Sequence, residues 1–142
     1  MIHDEIVTFE VAKLAKKNGF NEECREFYCE DKSQKRITII SCNRHVTSFD
    51  YCSNPMLEDY YPPHEYCYIA APTQSLLQRW LRDNGFGEVE VRHYSETNKY
   101  PHHYGWEVKD NLGVLMSYSS KMFATYELAL EQALKYSLEN LC

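Results

Sequence analysis

The chain carries no local signature of catalysis or of nucleotide binding. None of the motifs GxGxxG, GxxxxGK[ST], GxSxG and HExxH occurs in its 142 residues. No apolar run approaches the roughly 20 residues that a transmembrane helix needs, so we expect no membrane span. The first ten residues, MIHDEIVTFE, include acids and lack the basic and apolar regions of a secretory signal. We therefore expect a cytoplasmic protein.

Positive charge is missing from the middle of the chain. The formal net charge is −6, and no Lys or Arg lies between Arg44 and Arg79. Nucleic-acid binding relies on cations that displace condensed counterions, so we do not expect a nucleic-acid partner. A nucleic-acid-associated module stays open as an alternative, because residues 123–130 resemble a hairpin-then-helix pattern of several small domains on DNA.

Glycine and proline are scarce, with five of each, and 44% of the residues are hydrophobic. This composition excludes disorder and low complexity. A chain of this length fits one domain better than two, so we predict a single domain over residues 1–142.

The cysteines do not form the two tight pairs of a structural zinc site. Cys24 and Cys29 are spaced C-x4-C, and the other four, Cys42, Cys52, Cys67 and Cys142, are scattered. We predict no metal and no cofactor, and thiols that stay reduced. A small enzyme that uses His and Cys remains a further alternative.

Three amphipathic helices are marked by their ends. Thr8 and the Pro72-Thr73 pair open the first two, and Asn-Gly-Phe closes both, at residues 18–20 and 84–86. Thr125 opens the third, whose apolar stripe continues to Leu141. We interpret the two Asn-Gly-Phe stops as repeated capping chemistry and not as an internal repeat.

Strand patterns lie between the helices. Residues 36–41 and 44–50 predict a hairpin through Cys42-Asn43, residues 88–94 alternate, and 104–109 pair with 114–118 through the turn at 110–113. Residues 51–68 predict a long irregular stretch that is either a functional loop or contains a short strand that the pattern does not place. The fold class is therefore α+β, a mostly antiparallel sheet of about five strands with three helices in the order αββαβββα.

Two aromatic segments are candidate binding regions. The string YPHHYGW at 100–106 places adjacent histidines among aromatic rings, and residues 58–68 form an acidic, Tyr-rich segment stiffened by two prolines. Packing of these rings on the sheet is the competing interpretation. The predicted binding surface consists of Tyr60, Tyr61, His64, His102 and His103, with no residue assigned a catalytic role.

The string APTQSLLQRWLR, residues 71–82, resembles a pattern in small phage- and prophage-type proteins of gut bacteria and their mobile elements. The resemblance extends to IVTFEVAKLAKKNGF at 6–20 and to TYELALEQALKYSL at 125–138. It implies a single module of phage type and no particular activity. We therefore expect a non-enzymatic accessory or binding protein that acts on a protein partner or on a second copy of itself.

Overall fold

The computed structural model describes residues 4–31, 33–46, 66–94 and 103–142. The chain divides into two compact units, Ile6–Pro72 and a second that joins Met1–Glu5 to Thr73–Cys142. Each unit combines helices with one three-stranded antiparallel sheet. The α+β class and the three helices are confirmed, and the single domain over residues 1–142 stays a prediction.

The first unit contains one helix and three strands. These are α1 (Phe9–Lys17), β1 (Cys24–Asp31), β2 (Arg36–Val46) and β3 (Tyr66–Ala70). The strand order is β2-β1-β3, so β1 is central. Tyr28 of β1 meets the ring of Phe9 edge-on at 5.5 Å, and its hydroxyl donates a hydrogen bond to the carbonyl oxygen of Val7. These two contacts hold the start of α1 against the sheet.

The second unit contains two helices and three strands. These are α2 (Gln74–Asp83), β4 (Glu88–Tyr94), β5 (His103–Lys109), β6 (Leu115–Tyr118) and α3 (Tyr126–Asn140). The strand order β4-β5-β6 is a meander. The helix α3 packs against α2, β4 and β5 and buries Leu130, Leu134 and Leu138. The predicted hairpin between residues 104–109 and 114–118 is confirmed.

The predicted order αββαβββα with about five strands is wrong, because the described residues form six strands in the order αβββαβββα. The strand β1 was missed, and β3 was not placed, although a short strand within residues 51–68 had been left open. Both have runs of consecutive buried residues, Phe27 to Cys29 in β1 and Tyr68 to Ala70 in β3. Strands buried on both faces lose the apolar–polar alternation by which half-buried strands are recognised.

The predicted hairpin turn at Cys42-Asn43 is also wrong, since β2 runs unbroken from Arg36 to Val46. The ladder with β1 explains the error. Glu26 pairs with Ser41 and Cys24 pairs with Val46, so the register shifts where the turn was expected. The Cys42-Asn43 pair was expected to form a turn between two strands. It lies instead at an irregularity within a single strand.

All three predicted helix starts are confirmed. The hydroxyls of Thr8, Thr73 and Thr125 accept hydrogen bonds from the backbone N–H three residues later. Both Asn-Gly-Phe stops form Schellman motifs. Phe20 donates its N–H to Ala15 O and Phe86 donates its N–H to Leu81 O, with Gly19 and Gly85 at positive φ.

Residues of the string APTQSLLQRWLR hold the second unit together. The amide of buried Gln74 donates to Glu127 O at 2.9 Å and to the Glu131 carboxylate at 3.0 Å, which links α2 to α3. Ser75 binds the Asp4 carboxylate, and Gln78 donates to Val89 O at 2.7 Å. The most specific part of the resemblance therefore has a structural role at each of these positions.

Among the described residues, no helix is long and apolar enough to cross a membrane.

Candidate functional site

The structure describes one member of the predicted binding surface, His103. Tyr60, Tyr61, His64 and His102 lie outside the described residues, so their convergence stays a prediction. His103 is half-buried at the start of β5 and pairs with Tyr94 of β4. The candidate site is therefore developed outward from His103, over the sheet to which it belongs.

The face of the second sheet that carries His103 is a ladder of ion pairs. Residues at alternate positions of β4 and β5 share this face. Arg92 Nε lies 3.0 Å from a Glu107 carboxylate oxygen, and Lys109 Nζ lies 3.4 Å from a Glu90 carboxylate oxygen. The four charges offset one another in pairs, so the ladder offers no free cation for a phosphate.

Gly105 lies on this charged face at a point where neighbouring side chains come close to the backbone. A Cβ atom at Gly105 would stand 2.8 Å from Cε2 of Tyr94, 3.2 Å from Oγ of Ser119 and 3.5 Å from Sδ of Met122. A ring laid across a strand glycine in this way covers backbone that has no side chain of its own. The glycine of the YPHHYGW string thus has a packing role.

The opposite face of the same sheet holds Tyr104 and Trp106 of that string. Tyr104 meets Tyr126 edge-on at 6.4 Å and His93 at 4.8 Å, and Trp106 lies 5.4 Å from Tyr136. Tyr126 and Tyr136 belong to α3. Tyr104 and Trp106 therefore attach the sheet to α3, while His103 lies on the charged face.

Exposed apolar side chains are concentrated beyond the ion pairs, along β6. We call this group the β6 surface, and its members are 45–88% exposed: Leu112, Val114, Leu115, Met116, Tyr118 and Met122. Large exposed apolar groups gathered in one place mark interaction surfaces. They also include methionine and tyrosine, which are enriched where proteins bind one another.

The β6 surface coincides with a stretch free of charge. Residues 111–120, NLGVLMSYSS, contain no Asp, Glu, Lys or Arg, and none of the ten is buried. Natural edge strands are usually protected from other strands by charge or proline. Within the described residues β6 pairs with β5 alone and carries neither charge nor proline, although it is only four residues long and its pairing with β5 is irregular.

The turn before β6 holds this surface in place. The Asp110 carboxylate accepts hydrogen bonds from the N–H groups of Leu112 and Val114, both at 2.9 Å, and Gly113 adopts a φ of 80°. Sequence reasoning located this turn but did not identify the β6 surface. The signal that marks it is the uncharged run at 111–120 on a strand at the end of a hairpin.

A cleft of about 290 Å³ lies where α2 ends, and Asp83, Glu88 and Asp110 are among its lining residues. Several of its polar groups already have neighbours within the same junction. Asp110 holds the turn before β6, Asp83 lies 3.8 Å from Arg82, and the side-chain amide of Asn111 packs beside Gly85. The cleft therefore serves the junction of helix and turn.

Three of the described thiols, Cys24, Cys29 and Cys142, are poorly suited to nucleophilic chemistry. Burial raises the pKa of Cys24 to about 12, helped by the nearby Glu22 carboxylate. Burial also raises the pKa of Cys142 to about 11, and it raises that of Cys29 against the opposing hydrogen bonds of Tyr68 and Thr38. These three groups are neutral thiols near pH 7, whereas nucleophilic cysteines are thiolates.

No group of three or more His, Cys, Asp and Glu side chains is arranged to hold a metal ion within residues 4–31, 33–46, 66–94 and 103–142.

Comparison with known proteins finds no matching family model, no similar curated protein and no similar solved structure. The function is therefore inferred from the geometry of the chain itself.

Proposed function

We propose that this protein is a non-enzymatic binding protein that engages a protein partner through the β6 surface. One observation carries the proposal: six exposed apolar side chains lie between residues 112 and 122, within and beside an uncharged edge strand. An extended segment of a partner adding to such an edge gains main-chain hydrogen bonds and apolar contacts together.

The size of the surface suits a specific but reversible contact. Burying a large apolar side chain fully contributes roughly 1.5–3 kcal/mol, so burying the exposed half of one contributes about 1 kcal/mol. The six side chains together reach roughly 6 kcal/mol before ordering costs, and backbone hydrogen bonds add to this. Micromolar affinity corresponds to about 8 kcal/mol, which is within reach.

Charge favours a protein partner over a nucleic acid. The β6 surface is uncharged, and the cations on the adjacent face, Arg92 and Lys109, are paired with glutamates. Residues 123–130 also have structural work: Phe123 exchanges backbone hydrogen bonds with Tyr104, and Thr125 caps α3. The hairpin-then-helix pattern thus serves the second unit.

An accessory role of phage or mobile-element type, in the cytoplasm, belongs to the same proposal. It is motivated by the resemblance at residues 71–82 and by the missing catalytic motifs. The positions quoted for that resemblance, Thr73, Gln74 and Ser75 among them, cap or cross-link the second unit. The residues of the resemblance then specify the fold, while the β6 surface provides the contact with the partner.

Site-specific photo-crosslinking in cells that carry the protein tests the proposal. Benzoyl-phenylalanine is placed at Tyr118 and, as the matched control, at Leu128, which is 53% exposed on α3. The helix α3 covers the other face of the sheet, so the two probes sample different surfaces. We expect a protein adduct from position 118 that is absent from position 128. Equal adducts at both positions, or none at 118, would contradict the proposal.

A further inference from the structure

We infer that the partner of the β6 surface is a second copy of this chain, bound by antiparallel pairing of β6 with β6 across a two-fold axis. The inference rests on the proposed function of the β6 surface and names its occupant. Three features of the described residues carry it: the distribution of charge, the register of β6 and the protection of the other edge.

Charge selects where two copies can meet. Each copy carries a formal net charge of −6, so contact between charged surfaces brings like charges together. Residues 111–120 are ten consecutive uncharged residues, all outside the core. The longer uncharged run at 66–78 is largely buried in β3 and α2. Among the described residues, the β6 surface is thus the longest exposed stretch without charge, longer than residues 37–41 of β2, and a second copy meets no opposing carboxylate there.

The register of β6 is self-complementary. Tyr118 pairs with Glu107 and Leu115 pairs with Lys109, with an irregularity between them. Because Glu107 and Lys109 are two residues apart, they lie on one face of the sheet, and Leu115 and Tyr118 therefore share that face. A regular strand would place residues three apart on opposite faces.

A two-fold axis between Met116 and Ser117 uses this arrangement. It aligns Leu115 of one copy with Tyr118 of the other, and the same pair forms again on the other side of the axis. Both pairs lie on the same face of the joined sheet and bring an aliphatic side chain against an aromatic ring. The β4-β5-β6 sheet of one copy and the same sheet of the other copy would thereby join into one six-stranded sheet.

The opposite edge of the sheet explains why assembly stops at two copies. The strand β4 carries Glu88, Glu90 and Arg92, and charges along an edge discourage further strand addition. Pairing of β6 with β6 occupies the uncharged edge in both copies at once. The assembly is then closed, as an isologous contact requires.

Sedimentation equilibrium of the full chain from about 1 to about 200 µM measures the association. We expect a reversible monomer–dimer equilibrium that tightens from about 0.05 to about 0.5 M NaCl, because salt screens the repulsion between two acidic copies. Tyr118→Lys and Leu115→Glu should each weaken the dimer at least tenfold. Leu128→Lys on α3 and Ile39→Lys on β2, at similarly exposed apolar positions, should leave it unchanged.

Mixing the two weakened variants tests the register directly. A dimer of one Tyr118→Lys copy with one Leu115→Glu copy aligns the new lysine with the new glutamate and keeps one native Leu115–Tyr118 pair. We expect the equimolar mixture to recover at least tenfold in affinity over either variant alone. Circular dichroism of each variant confirms that the fold is retained.

Three results would overturn the inference. They are a native chain that stays monomeric up to about 200 µM, an association that Ile39→Lys abolishes and Tyr118→Lys does not, and a mixture no tighter than its components. A monomeric chain whose position 118 crosslinks to a different protein would overturn the second copy and leave the proposed function standing. A chain that shows neither dimer nor adduct would remove both.

Discussion

The first helix of each unit has the same capping residues at its two ends, but the strand that follows it takes a different position in its sheet. In each, a threonine caps a helix that ends in an Asn-Gly-Phe Schellman motif. After the first stop, β1 becomes the central strand of its sheet, and after the second stop, β4 becomes an edge strand. Identical capping chemistry therefore leads into two different sheet topologies.

The two strands that follow the stops also differ in how they are buried. In β1, Phe27, Tyr28 and Cys29 are buried in succession, so both faces of the strand are covered. In β4, buried Val89 lies between Glu88 and Glu90, neither of which is buried, so one face stays in water. Burial of both faces does not by itself decide the place of a strand, because β3 has a similar run of buried residues, Tyr68 to Ala70, and lies at an edge of its sheet. Caps fix where a helix ends, while the burial pattern of the following strand shows only which of its faces are covered.

The largest expected difference between the two helices concerns the residue four places before each asparagine stop. Trp80 in α2 is 5% exposed and contacts Phe86 at 5.5 Å, whereas Leu14 in α1 is half-buried. We expect Trp80→Ala to cost about 3–5 kcal/mol of unfolding free energy and Leu14→Ala about 1–2 kcal/mol. Urea denaturation measures both. Equal costs would mean that the helices bury this position alike.

Alkaline pH should separate the units at buried Cys24 and the more exposed Cys142. The pKa of Cys24 in the folded protein is raised from 9.0 to about 12. The contribution of this thiol to the free energy of unfolding is therefore complete below pH 9 and is lost as the pH rises toward 12. By about pH 10.5 the loss reaches roughly 2 kcal/mol relative to neutral pH. Cys142, at the end of the second unit, is exposed and its pKa is raised less, to about 11.

The measurement is unfolding free energy against pH for the native chain, Cys24→Ala and Cys142→Ala. Tyrosine ionisation is common to all three chains, so differences between the slopes isolate the thiols. We expect Cys24→Ala to flatten the alkaline loss clearly and Cys142→Ala to flatten it less. If the unfolding free energy of Cys24→Ala fell with rising pH as steeply as that of the native chain, the thiol would not be buried in the folded protein.

Helix ends and half-buried strands were predictable because their physics is local. A threonine, an apolar stripe and an Asn-Gly-Phe stop lie within a dozen residues of one another, and each was placed correctly. The hairpin through Asp110 and Gly113 is equally local. The strands β1 and β3 were not predictable in this way, because they pair with each other across a long stretch of sequence and show consecutive buried residues instead of alternation.

The candidate site was predictable only in part. His103 was selected for its neighbours in the YPHHYGW string, yet alternation along β5 separates it from Tyr104 and Trp106, which pack on α3. The exposure of Leu115 and Tyr118 depends on β6 being the last strand of its sheet. A residue pattern shows that a segment is apolar and uncharged, but strand order decides whether it is covered.

The smallest expected effect compares the two Schellman glycines. Gly19 and Gly85 have φ values of 93° and 77°, so alanine at either position adopts a left-handed conformation that costs about 1 kcal/mol. At Gly19 nothing lies within 4 Å of the added Cβ, whereas at Gly85 the Asn111 amide nitrogen lies at 3.0 Å. We therefore expect Gly85→Ala to cost about 0.5–1 kcal/mol more than Gly19→Ala.

A double-mutant cycle shows whether that difference comes from Asn111. In an Asn111→Ala background the added Cβ at Gly85 has free space, and the cost of Gly85→Ala should fall to that of Gly19→Ala. Thermal unfolding of the four chains of the cycle, with Gly19→Ala as reference, gives the coupling. A cost at Gly85 that persists without the Asn111 amide would mean that the two stops differ in backbone strain. The shared Asn-Gly-Phe sequence would then not set the same helix end in both units.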